Sequence, residues 1–197
     1  MKTDVIVVSS SGKQMEQALE QAEKVASYKG LSPRGALHLR LLAEEMMGMV
    51  RSITGEKEGQ FWIEDEDGVF QLHLRVNTLM TMDKRDQLLS ASTSGKNEAA
   101  RGLMGRLRDF FEQGSGMQHV PFYYSEMPGE FSGSALDWEW SMASYQNALS
   151  QWTDTDERAR EMWDELEKSV VTHVADDVKV AIRGDWVEMT IIKKISE

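Results

Sequence analysis

The sequence has no cysteine among its 197 residues, which excludes disulfides, thiolate metal sites and cysteine nucleophiles. Basic residues are in deficit: 22 Lys and Arg stand against 33 Asp and Glu, for a formal net charge of −11. That balance argues against nucleic acid as a partner, because a phosphate backbone is bound through a basic field. No apolar run approaches the ~18 residues that a membrane span needs, and no signal-like apolar stretch is present. The expectation is a cytoplasmic protein with neither an export signal nor a membrane partner. The four histidines, His38, His73, His119 and His173, are scattered without ligand spacing, so no zinc site is expected. Ser9-Ser-Ser-Gly-Lys13 follows a strand-like run but lacks the full phosphate-loop pattern, and it reads as a strand-to-helix turn. The acidic run 64–67 lacks calcium-loop spacing and reads as a solvated hairpin tip. Internal repeats and low-complexity tracts are also missing.

What is present is an ordinary globular composition, 41% hydrophobic, which is enough to bury a core. The length favours one domain, residues 1–197. The β-branched run at 5–8 reads as a strand. Residues 13–29 carry Met15, Ala18, Leu19, Ala22, Val25 and Ala26 at helical spacing, with Gly30 as the stop. Ser32-Pro33 opens a second helix, the serine as N-cap and the proline in the first turn. Leu39, Leu42, Met46, Met49, Val50 and Ile53 form its buried face, and Gly55 ends it. A hairpin follows: 61–63, an acidic turn at 64–68, then 69–76 in strict alternation. Residues 98–112 read as a helix stopped by Gly114. From about 115 to 153 the pattern weakens into an aromatic-rich insertion, ordered because a disordered linker would be poor in aromatics. A capped helix from about 153 to 172 and a hairpin of 178–182 and 186–192 complete the chain. Five strands with helices on one face predict an α+β fold, a two-layer sandwich on a mixed, mostly antiparallel sheet.

On the second helix, Leu37, Leu41, Glu44, Gly48 and Arg51 share a stripe, because residues three and four apart share a face. A carboxylate one turn before a glycine sets an acidic group beside exposed backbone. The plain alternative is that Glu44 and Glu45 are half-buried helix residues paired with Arg40 or Arg51. Downstream, Asn77-Thr-Leu-Met-Thr81 follows the first hairpin. Ser94-Gly-Lys96 then precedes Gly102 and Gly105, whose backbone N–H groups would face an anion at a helix start. The alternative there is a turn with an N-cap, and glycines that permit close helix packing.

These residues, in this element order, resemble the histidine-kinase-like (GHKL) ATPase superfamily, especially its small anti-sigma-factor, serine-protein-kinase-like branch. The likeness covers about 1–113 and 154–195. It implies a Bergerat-type ATPase-like fold in which Glu44 matches a general-base glutamate, here vestigial. The family's magnesium-binding asparagine falls on Gly48, so the resemblance implies no magnesium site and no hydrolysis. Asn77 stands where the family's adenine-binding aspartate is, with Leu79 and Thr81 replacing two glycines. Ser94, Lys96, Gly102 and Gly105 correspond to the lid and the last glycine box. The implied function is a bacterial-type regulatory protein with degenerate motifs, binding ATP or ADP weakly or not at all, with an unidentified protein partner. A homodimer is left open.

An interaction module of the same fold, without a nucleotide site, is the alternative; in it Trp138 and Trp140 alternate on a strand and serve either the core or a partner groove. A third option is an enzyme with Glu44 or Glu45 as general base, which would need a pKa raised by burial.

Overall fold

The computed structural model describes residues 1–9, 12–54, 58–77, 137–151, 169–183 and 186–195, with isolated positions between 153 and 167. Helix α1 (Gly12–Tyr28) buries Ala18, Ala22, Val25 and Ala26 on one side, as apolar spacing of three and four residues requires. It stops at Gly30, whose φ of +66° is a left-handed conformation that suits glycine. The Gly30 N–H donates to the Ser27 carbonyl and the Leu31 N–H to the Ala26 carbonyl, the paired bonds of a Schellman ending. Helix α2 (Pro33–Thr54) then starts on Ser32. Its Oγ accepts the Gly35 N–H at 3.3 Å and its carbonyl accepts the Ala36 N–H at 2.9 Å, so the serine cap expected from sequence is formed.

The strands are β1 (Ile6–Val8), β2 (Gly59–Glu66), β3 (Val69–Asn77), β4 (Asp137–Ser141), β5 (Asp177–Arg183) and β6 (Trp186–Lys194). They form one sheet in the order β1-β2-β3-β6-β5-β4, and every described pairing is antiparallel. The sheet expected to be mixed, mostly antiparallel and five-stranded is antiparallel at every described pairing and has six strands. The extra strand, β4, comes from the aromatic-rich stretch, where Trp138 and Trp140 fall opposite Ile182 and Val180 of β5. Helix α3 (Met142–Ser150) follows it directly, also inside the stretch read as an ordered aromatic-rich insertion.

Two boundaries differ from the sequence expectation for physical reasons. The acidic run is strand almost to its end, and only Asp67 and Gly68, with φ of 50° and 81°, make the turn. Two left-handed residues are what a two-residue type I′ hairpin requires. The chain tolerates Asp65 in the strand because that carboxylate, buried, is compensated. Lys29 Nζ lies 2.5 Å from Oδ2, the Met1 ammonium 3.8 Å away, and the Gly68 N–H donates to Oδ1 at 3.2 Å. The Lys29 ammonium is held above its ordinary pKa, first by its hydrogen bond to Asp65. Second, the helix expected to run to residue 172 is interrupted at Ser169, whose ψ of 129° is extended, and a short helix α4 (Val170–Val174) resumes beyond it.

One apolar cluster joins the layers: Ala18 to Ala26 of α1, Leu39 to Val50 of α2, Met142 and Tyr145 of α3 and Val171 of α4. From the sheet it takes Phe61, Ile63, Phe70, Leu72, Leu74, Val76, Val178, Val180, Val187, Met189 and Ile191. These sheet residues share one parity along each strand, so the described helices lie on a single inner face. The architecture is a two-layer α+β sandwich on an open antiparallel sheet.

Candidate functional site

Because α2 turns its Leu39, Leu42, Ala43, Met46, Met47 and Val50 into the core, its opposite side faces outward. Leu37, Arg40, Glu44 and Gly48 are exposed there, spaced as one outer stripe requires. Arg40 pairs with Glu23 of α1, not with either glutamate. Glu44 is exposed on the helix, and the Arg51 side chain lies outside the described residues. Among the described residues there is open space around Gly48: a Cβ added there would meet none of their atoms within 4 Å.

Glu45, one residue on, is half-buried, and its carboxyl is pushed above the ordinary range, first by desolvation and then by the charge of Glu44. The raised pKa that a general base on this helix would need thus belongs to Glu45. Among the described residues, no group of three or more His, Asp or Glu side chains comes together to hold a metal ion, and no helix is long and apolar enough to cross a membrane.

Asn77 closes β3 opposite Trp186. It alternates out of phase with Phe70, Leu72, Leu74 and Val76, which face the helices, so it lies on the outer face of the sheet. Glu44 and Gly48 belong to the helix layer on the other side. The structure brings Glu44, Glu45 and Gly48 together on α2 and keeps Asn77 away from them. Ser94, Lys96, Gly102 and Gly105 lie outside the described residues, as does most of the aromatic-rich stretch.

The outer face holds a polar and aromatic group that sequence reasoning did not assemble. Trp62 and His73 stack, with ring centroids 4.7 Å apart and planes 4° from parallel. The Trp62 Nε1–H donates to Glu64 Oε1 at 2.9 Å, and Lys2 Nζ lies 2.8 Å from the same oxygen and 5.2 Å from the indole centroid. The Glu64 carboxyl is held below its ordinary pKa, first by the Lys2 hydrogen bond and next by that of Trp62. The Arg75 guanidinium lies over the Trp186 ring at 4.5 Å, a cation–π contact.

Alternation along 69–76 signals that His73 and Arg75 share a side. Their aromatic neighbours depend on strand register, which follows only once the turn is confined to residues 67 and 68. Comparison with known proteins adds no assignment: no protein family, curated protein or solved structure matches this chain.

Proposed function

We propose that this chain is a regulatory protein on an ATPase-like scaffold that acts through contact with a protein partner, its nucleotide chemistry lost. The observation that carries this reading is the separation of Asn77 from Glu44 and Gly48. In a Bergerat-type site the adenine-binding and phosphate-proximal residues face one cleft. Here Asn77 is on the outer face of the sheet, whereas α2 covers the inner face. Exposed Glu44 and the side-chain-free Gly48 also offer no metal ligand pair.

A second reading, weak ATP or ADP binding without magnesium, draws support from the open space around Gly48. Thermal melting with ATP or ADP, with and without magnesium, separates the two. A ligand with a Kd of about 1 mM, present at about 10 mM, stabilises by about 1.4 kcal/mol. For a chain of this length that is a rise of roughly 3–5 °C in Tm. The proposal expects no such rise with either nucleotide; a saturable rise reverses it in favour of the second reading.

A further inference from the structure

Cross-strand pairing on the outer sheet face sets Trp62, His73 and Thr190 in one row and Arg75 beside Glu188 in the next. His73 is 8% exposed. Its Nδ1 is 3.1 Å from Thr190 Oγ1 and 3.6 Å from Glu188 Oε1, so that edge of the ring is engaged. The other edge is not: His73 Nε2 is buried without a hydrogen-bond partner among the described residues, and Arg75 Nε is in the same state. Two residues apart on one strand face, the two side chains start roughly 7 Å from each other.

Buried polar groups in native proteins are almost always hydrogen-bonded, so two neighbouring orphans call for a shared explanation. Arg Nε can only donate. His73 Nε2 donates when the Thr190 hydroxyl donates to Nδ1, and accepts when Nδ1–H donates to Thr190 or Glu188. One partner that serves both groups must be an acceptor, because Arg75 Nε only donates, and a carboxylate accepts from both in the tautomer that carries the His73 Nε2–H. Indoles flank the pair, Trp62 stacked on His73 and Trp186 beneath Arg75, and they suit a flat apolar body next to the charge. Of the acidic neighbours, Glu64 is compensated by Lys2, and Glu188 lies on the Nδ1 side of the ring.

We propose that His73 and Arg75 form a binding site for a carboxylate carried on an aromatic group. The site goes beyond the function proposed above, since it uses no residue of α2 and stands whether or not a nucleotide binds.

The test uses the wild-type protein and heteronuclear NMR of the Arg75 Nε–H and the His73 ring. Benzoate is titrated against benzamide, its neutral isostere, at matched ionic strength. Benzoate is expected to shift both signals saturably and benzamide to shift neither; Arg75→Gln is expected to weaken benzoate binding by about tenfold. N-acetylphenylalanine distinguishes the source of the carboxylate: tighter binding than benzoate indicates a peptide C-terminus, and weaker binding indicates a free aromatic acid. Absence of a saturable shift in the wild-type protein overturns the proposal. So does an equal response to benzamide, or benzoate affinity unchanged in a folded Arg75→Gln variant.

Discussion

At the scale of single residues, Glu45 links burial to pH. Its folded pKa is raised above its unfolded value, by desolvation first and by Glu44 second. Between those two values the folded protein holds more protons than the unfolded chain, so stability falls as pH rises through that window. Above it the penalty is constant. Glu45→Gln removes the charge, so the variant is expected to melt higher than wild type near pH 7.5 and to lose that advantage at about pH 4; melting curves at the two pH values check it. A variant no more stable than wild type at neutral pH would mean that the carboxylate is well solvated. Leu74 gives the core counterpart, because it is sealed between the sheet and α2. Leu74→Ala is expected to cost about 2–5 kcal/mol, measured by urea denaturation.

At the scale of elements, the β2–β3 turn fixes what faces what. Moving strand pairing by one residue would transfer every side chain to the other face, so the two-residue turn at Asp67 and Gly68 is what sets Trp62 against His73. Gly68 has φ of 81°, and a Cβ there would come within 3.1 Å of the Ile195 carbonyl oxygen. Gly68→Ala is therefore expected to destabilise by about 1–2 kcal/mol, again read from urea denaturation; a neutral result would mean that the turn relaxes without loss of register.

The helices α1 and α2, with their caps, were legible because apolar period and capping chemistry are local. So was the alternation of β3. The end of β2 was not, since Asp65 reads as a turn residue until Lys29, distant in sequence, is found beside it. Strand β4 was legible only as the alternation of Trp138 and Trp140; its place in the sheet was not, because its pairing with β5 joins residues about forty positions apart. The Glu44 stripe on α2 could be read from spacing. The separation of Asn77 from it could not, because it depends on which face of the sheet the helices cover.

At the scale of the whole molecule, the described residues put one layer of helices on an antiparallel sheet, and its two sides differ in character. The exposed side of α2 carries Glu44 and Gly48, while the outer sheet face carries stacked rings and cations over indoles. The net charge of −11 adds diffuse self-repulsion to the folded state, which salt screens. Raising sodium chloride from about 20 mM to about 500 mM is expected to raise Tm; a fall would mean that local ion pairs such as Lys29–Asp65 outweigh the general repulsion.

The separation of Asn77 from the Glu44–Gly48 stripe is tested most directly by following the backbone amides of Gly48 and Asn77 in a two-dimensional NMR titration with ATP. The expected result is that neither amide shifts saturably. Both amides shifting together with one dissociation constant would put them in a single nucleotide site and contradict the separation.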